Sequence, residues 1–307
     1  MKILFIDIVH PFLKEELEKQ NYICDIAYNK TRDEVLSIIS DYDGIVLRSR
    51  IKIDHDFLNQ CQKLKFIARA GSGLENIDVI EAEERNINLL NAAEGNRQAV
   101  AEHALGMLLS LFNNLNKSDR EVRNEIWERE ANRGVELSQK TVGIIGFGNN
   151  GSAFSEVLSG FDVRILAYDK YLEKYKFQAT MQEIFQYADI VSLHIPLTAE
   201  TTYFLNENFI NQFEKPIYIV NTARGKCLCT KDLVTAMQNG KVLGACLDVL
   251  EYEKISFESF SKERLSDELQ YLFASENTIL SPHIAGWTEQ SNRKIAEVLL
   301  HKITTLV

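Results

Sequence analysis

The sequence predicts an α/β fold, specifically two doubly wound parallel-sheet domains, and three observations predict it. The chain has 307 residues, more than one hydrophobic core comfortably serves and about right for two domains. Short, nearly continuous apolar runs alternate with helical patterns from the first residue, which is how strands buried on both faces of a parallel sheet read. That alternation stops near residue 95, gives way to one long helical pattern, and restarts at Thr141.

The elements follow in order. "KILFID", "NYICDIAY", "GIVLRS", "KFIARAG" and "INLLNA" read as strands, with "PFLKEELEKQ" and "TRDEVLSIIS" among the helical segments between them. From Val100, "VAEHALGMLLSLFNNLNKSDREV" reads as a long helix. Apolar positions surround most of its first half, so it must be buried between domains or against another subunit. The second strand series is "TVGIIGFGNNG", "VRILAYD", "DIVSLHI", "IYIVNTARG" and "VLGACLDV". The polar stretch Glu251 to Glu276 reads as surface helices and loop, and "NTILSPHIAG" leads the chain back toward the first domain. The last segment has helical spacing at Ile295, Val298, Leu299 and Ile303 and is expected to pack on the N-terminal unit. The expected domains are therefore residues 1–95 with 285–307, and residues 96–284.

Composition excludes several classes of function. Apolar residues make up 45% and charged residues 25%, the balance of a folded globular protein. A net charge of -10 repels a polyanion, so nucleic acid is not an expected partner. No apolar run is long enough to span a membrane, and "MKILFIDIVH" is too short and too acidic for a signal peptide, which points to the cytoplasm. Cys24, Cys61, Cys227, Cys229 and Cys246 are odd in number and scattered, as reduced thiols are. The Cys227-x-Cys229 pair lacks a second ligand pair, so no metal is expected.

Gly146, Gly148 and Gly151 follow the strand "TVGII" and open a helix. In the dinucleotide-binding reading the first permits a sharp turn, the second lets backbone amides approach a pyrophosphate, and the third lets helix and strand pack closely. The helix N-terminus then faces the phosphates. Asp169 ends the next strand, 18 positions beyond Gly151, where a carboxylate accepts hydrogen bonds from ribose hydroxyls and repels a 2'-phosphate. This makes the second unit a Rossmann-like nucleotide domain and favours NAD over NADP. Lys170, next in sequence, argues the other way, and a solvated Asp169 is the plain alternative.

Chemistry on open parallel sheets gathers beyond the carboxyl ends of the strands, where Arg224, Glu253 and His283 stand. Arg224 offers a planar fork for a carboxylate. His283 can take a hydroxyl proton as hydride leaves the neighbouring carbon. Glu253 on the other ring nitrogen would orient the imidazole, although Glu251 is a rival for that role. Each also has a plain reading, as a loop cap, a solvated acidic edge and a structural histidine.

Together "GIIGFGNNG", "VSLHIPLTAETTYFLN", "NTARG", "GACLDVLEYE" and "SPHIAGWT" resemble the D-isomer-specific 2-hydroxyacid dehydrogenases, over nearly the whole chain. "LRSR" and "RAGSGLENID" make it most similar to the 3-phosphoglycerate dehydrogenases, in a short form without a C-terminal regulatory domain. The resemblance implies a flavodoxin-like substrate domain built from both chain ends, NAD as cofactor, a homodimer, and the three catalytic roles just given. It adds Asn149, Asn150, His194, Thr222 and Asp248 to the cofactor site. Arg48 and Arg50 are expected to receive a phosphate, with Ser72 and Gly73 offering donors to the carboxylate; a surface or interdomain salt bridge is the alternative. The activity implied is oxidation of D-3-phosphoglycerate, with a glyoxylate/hydroxypyruvate reductase or a non-catalytic NAD(H)-binding corepressor-like protein as alternatives. The chain departs from the family pattern at Lys254, where a proline is usual, and at Thr230, where an acidic residue is common. The interval of 30 positions from Glu253 to His283 is also long.

Overall fold

The computed structural model describes residues 1–253 and 266–306. The chain divides into two compact units, Met1–Arg97 with Trp287–Val307, and Gln98–Glu253 with residues 266–286.

The first unit holds β1 (Lys2–Phe5), α1 (Pro11–Lys19), β2 (Ile23–Ile26), α2 (Arg32–Leu36), β3 (Gly44–Leu47), α3 (His55–Asn59), β4 (Phe66–Arg69), α4 (Val79–Glu84) and β5 (Asn88–Leu90). Its five strands are ordered β2-β1-β3-β4-β5, all paired in parallel, which is the flavodoxin-like order. Successive side chains of β1 explain the apolar reading of its sequence. Ile3 and Phe5 pack with Leu13 and Leu17 of α1, whereas Leu4 and Ile6 pack on the opposite face with Val35, Phe57 and Leu58. Both faces are buried, so neither tolerates a polar residue.

The second unit opens within α5 (Ala93–Phe112) and continues with α6 (Leu115–Arg123). The sequence suggested one helix from Val100; the structure starts it earlier and breaks it at Asn113–Asn114, where Asn114 takes φ 50°. Asparagine tolerates that left-handed conformation better than most residues. Beyond lie β6 (Thr141–Ile145), α7 (Asn149–Val157), β7 (Arg164–Tyr168), α8 (Met181–Tyr187), β8 (Ile190–Leu193), α9 (Glu207–Ile210), β9 (Ile217–Asn221), α10 (Thr230–Gln238), β10 (Val242–Leu247), α11 (Asp267–Ala274) and β11 (Thr278–Leu280). The six strands are parallel, in the order β11-β10-β9-β8-β6-β7. Helices cover both faces. Ala101, Ala104, Leu108 and Phe154 meet Val142, Ile144 and Val220, while Ile184, Phe209, Leu233 and Met237 meet Ile145, Val191 and Ile219.

The stretch expected to be surface helix and loop contains α11, whose Leu269 and Leu272 are buried, so this part is core; residues 254–265 lie outside the described residues. The final helix, α12 (Glu289–Thr304), belongs to the first unit, where Ala296, Leu299 and Ile303 join Ile3, Phe5 and Leu17. No described helix is long and apolar enough to cross a membrane.

Candidate active site

The glycine turn between β6 and α7 sits where the strand order reverses, since β7 pairs on one side of β6 and β8 on the other. Such a switch point leaves a crevice at the carboxyl edge of the sheet. The three glycines are required for different reasons. Gly146 has φ 90°, and a Cβ there would stand 2.5 Å from the His194 carbonyl oxygen. A Cβ on Gly151 would stand 2.0 Å from the Gly146 carbonyl oxygen, so the first turn of α7 can pack only on a bare backbone. Gly148 meets nothing within 4 Å, which leaves open space beside the turn. It is also the N-cap of α7 and makes no side-chain cap bond, so the first amides of the helix face that space.

Asp169 borders this turn. Its Oδ2 accepts from the Phe147 amide at 2.8 Å, and its Oδ1 from Tyr171 at 2.9 Å and Leu172 at 3.2 Å. Three backbone donors orient the carboxylate, and four lone-pair sites leave one for a hydroxyl donor.

Four buried side-chain polar atoms among the described residues have no hydrogen-bond partner, and three of them lie in this region: Asn150 Oδ1, His194 Nδ1 and Thr222 Oγ1. They stand in the first turn of α7 and just past the ends of β8 and β9. Buried polar atoms left unmatched cost roughly 1–3 kcal/mol each, so three near one sheet edge mark a surface made for a polar ligand. Asn149, by contrast, is exposed at the start of α7. The open space at Gly148, the helix N-terminus and these three atoms fit a dinucleotide.

Burial lowers the His194 imidazole to about 4 from 6.5, and its Nε2 lies 2.8 Å from Ser192 Oγ. The ring is thus neutral at physiological pH. Between pH 6.5 and about 4 the unfolded chain gains a proton here that the folded protein refuses. Stability should therefore fall by about 3 kcal/mol on acidification through that window, and be unaffected above it. Urea midpoints against pH for wild type and His194→Gln check this; parallel curves would contradict it.

His283 Nδ1 lies 2.7 Å from Glu253 Oε2, and both side chains are largely buried. The other Glu253 oxygen accepts from the Leu250 amide. Glu251 is committed elsewhere: its Oε1 accepts from Tyr203 Oη at 2.8 Å and its Oε2 from the Thr230 amide at 3.0 Å. That second bond uses the Thr230 backbone, so it does not depend on the side chain there, and nothing in the structure explains the departure at Thr230. Cys229, the N-cap of α10, offers no side-chain bond, and Glu251 caps the helix from a distance. The hydrogen bond to Glu251 pushes the Tyr203 phenol up to about 12. Arg224 follows β9, in a segment held by Asn221, which accepts from the Ala223 amide at 3.1 Å and donates to the Arg224 carbonyl at 3.1 Å. One guanidinium nitrogen donates to the Ala223 carbonyl at 2.7 Å. A Cβ on Gly225 would stand 2.0 Å from the Leu250 carbonyl oxygen, so this turn abuts the segment that leads to Glu253.

Asp248, assigned from sequence to the cofactor, has its carboxylate committed to the His283 loop. It accepts from Ser281 Oγ at 2.6 Å and from the Ile284 and Ala285 amides at 2.9 and 2.8 Å, while its carbonyl accepts from the His283 amide at 2.7 Å. Burial opposes its charge, but hydrogen bonds from His103, Ser281 and the two amides outweigh that and hold it below the usual carboxylate range. His103 of α5 completes the network, with Nε2 2.8 Å from Ser281 Oγ. Because the Ser281 proton goes to a carboxylate that can only accept, His103 must donate from Nε2. Sequence reasoning missed His103 and Ser281, which are 178 positions apart with no motif joining them. The network holds His283 in a left-handed conformation, φ 56°.

A family model described as the NAD-binding domain of the D-isomer-specific 2-hydroxyacid dehydrogenases matches residues 105–285, more than half of the chain. The chain belongs to that family. It is an NAD-dependent D-2-hydroxyacid dehydrogenase, and its second unit carries the NAD-binding domain. It is 34% identical to a hydroxypyruvate reductase of Thermotoga maritima, over 94% of this chain and 91% of the relative. It is 32% identical to a D-3-phosphoglycerate dehydrogenase of Synechocystis, over 92% of this chain but 50% of the relative. The chain thus spans about half the length of that relative. Among solved structures, a D-lactate dehydrogenase of Aquifex aeolicus complexed with NAD and lactic acid matches with a TM-score of 0.84 and 25% identity, over 100% of this chain and 95% of that one.

The dehydrogenase's first unit treats the expected substrate residues unequally. Arg50 is engaged within the unit: Nε pairs with Asp7 Oδ1 at 2.9 Å, and its terminal nitrogens donate to the carbonyls of Lys30 at 2.7 Å, Ile6 at 2.6 Å and Ala27 at 3.2 Å. A buried carboxylate and three carbonyls thus take four of the five guanidinium N–H donors of this member of the expected arginine pair. Arg48 points elsewhere, with its guanidinium carbon 4.0 Å from the centroid of the Trp287 ring. Ser72 Oγ donates to Asn96 Oδ1 at 2.9 Å, and its carbonyl accepts from Asn91 at 2.7 Å. Gly73 lies in the same loop after β4.

Proposed function

We propose that this dehydrogenase oxidises D-3-phosphoglycerate to 3-phosphohydroxypyruvate, as a step in serine biosynthesis. The observation that carries the acid/base part is the 2.7 Å contact between His283 Nδ1 and Glu253. Bound NAD supplies the hydride acceptor. Glu253 orients the ring through Nδ1, and in this reading Nε2 takes the substrate hydroxyl proton in oxidation and returns it in reduction. Arg224 holds the substrate carboxylate through its planar fork and polarises the neighbouring oxygen. Gly146, Gly148, Asn149, Asn150 and Gly151 receive the pyrophosphate, Asp169 the ribose, and His194 and Thr222 the remainder of the cofactor.

In this reading the first unit binds substrate, with Arg48 meeting the phosphate and Ser72 and Gly73 the carboxylate. Kinship with a phosphoglycerate dehydrogenase across 92% of the chain supports it. A second reading, a hydroxypyruvate or glyoxylate reductase, has its own support. The Thermotoga maritima relative with that name is matched over 91% of its length, and Arg50 is engaged by Asp7 and three carbonyls. We also infer a homodimer, supported by the exposed apolar surface of Val122, Ile126 and Trp127, the last 77% exposed.

NADH production with D-3-phosphoglycerate and D-glycerate, beside NADH consumption with hydroxypyruvate and glyoxylate, separates the two. The expected result is preference for the phosphorylated acid. Arg48→Ala should then raise its KM by about tenfold or more while leaving D-glycerate within twofold, since one charge-assisted contact is worth roughly 1.5–3 kcal/mol. Preference for the unphosphorylated acids would replace the first reading with the second.

A further inference from the structure

The residue after Asp169 is a lysine, the side chain that a 2'-phosphate would seek. In the fold it is already taken: Lys170 Nζ donates to Glu200 Oε1. Lys170 lies two positions past the end of β7, and Glu200 lies in the loop after β8, so the pair joins the two strands that flank β6 and its glycine turn. Glu200 is presented by an ordered turn. The Thr198 amide donates to Thr201 Oγ1 at 2.8 Å, the Thr201 amide to Thr198 Oγ1 at 3.2 Å, Thr201 Oγ1 to the Pro196 carbonyl at 2.6 Å and Thr202 Oγ1 to the Thr198 carbonyl at 2.7 Å. Four threonine bonds thus define the turn that carries the carboxylate.

The geometry points to Glu200 as a determinant of cofactor choice: by holding the Lys170 ammonium, it denies a 2'-phosphate its cation. The inference rests on the reading of Asp169 as the ribose contact. An NAD ribose carries no charge at that position, so it gains little from Lys170 and loses little to Glu200. A phosphate carries close to two negative charges and gains from the ammonium once Glu200 no longer holds it. The pair is half exposed, and its effect should therefore weaken as salt shortens the screening length.

The test is binding, followed by the fluorescence of NADH and NADPH on titration with the protein at low and at high salt. Glu200→Gln should tighten NADPH binding on the order of tenfold at low salt, with NADH within twofold and a smaller gain at high salt. Adding Lys170→Gln should abolish the gain. An unchanged NADPH affinity in Glu200→Gln, or a gain that survives in the double variant, would overturn the assignment. Asp169→Ala distinguishes the two levels of failure: if it leaves NADH affinity at the wild-type value, the ribose register is at fault, and the role of Glu200 falls with it.

Discussion

Replacing His283 by asparagine should lower turnover by about 10²–10⁴-fold, the usual worth of a positioned acid/base, while NADH binds within twofold of wild type. Asparagine keeps a polar side chain in the loop and can still donate toward Glu253, but it has no nitrogen that accepts a proton at neutral pH. The cofactor contacts proposed here lie at the ends of β6, β7, β8 and β9, none of which depends on the imidazole. Turnover and nucleotide affinity should therefore separate. Steady-state kinetics together with a fluorescence titration of NADH make the comparison. Turnover within tenfold of wild type would remove His283 from the chemistry, and parallel loss of NADH binding would mean that the variant disturbs the fold instead.

The second large effect is expected at Asp248, which is 1% exposed. Asp248→Ala strands the Ser281 hydroxyl and the Ile284 and Ala285 amides in the interior. At roughly 1–3 kcal/mol for each buried donor left without an acceptor, the loss should reach about 3 kcal/mol or more. It should appear as a lower urea midpoint with little change in slope. Turnover should fall as well, because these bonds hold the backbone on both sides of His283. Asp248→Asn keeps one acceptor oxygen and should lie between the two. A midpoint equal to wild type in the alanine variant would show that water satisfies the donors and that the loop does not need this anchor. The same variant bears on the assignment from sequence, since a cofactor contact alone would change NADH affinity without moving the midpoint.

Much of the fold was legible because both sheets are buried on both faces. Runs such as "ILF" in β1 and "VGII" in β6 have no solvent face to interrupt them, and the helices between carry the 3.6-residue period. The break between α5 and α6 was not legible: "FNNLN" is compatible with helix, and only the φ of Asn114 ends it. The buried face of α11 was hidden for a related reason, since the stretch around it is polar enough to read as surface.

At the site, local requirements could be read and pairings could not. The glycines declare themselves, because Gly146 combines φ 90° with no room for a Cβ and Gly151 needs a missing side chain. Their spacing, with a carboxylate at the end of the next strand, was enough to indicate a dinucleotide. Arg224, Glu253 and His283 were likewise visible as residues at strand ends. Which glutamate meets His283 was settled only in three dimensions, where Glu253 reaches the ring and Glu251 turns to Tyr203 and Thr230. The same holds for Arg50, drawn to Asp7, and for the donation from His103 of α5 to Ser281. The physical reason is common to all three: backbone conformation and burial depend on neighbours along the chain and on composition, whereas a hydrogen bond between residues tens to hundreds of positions apart depends on where the packed strands bring their ends.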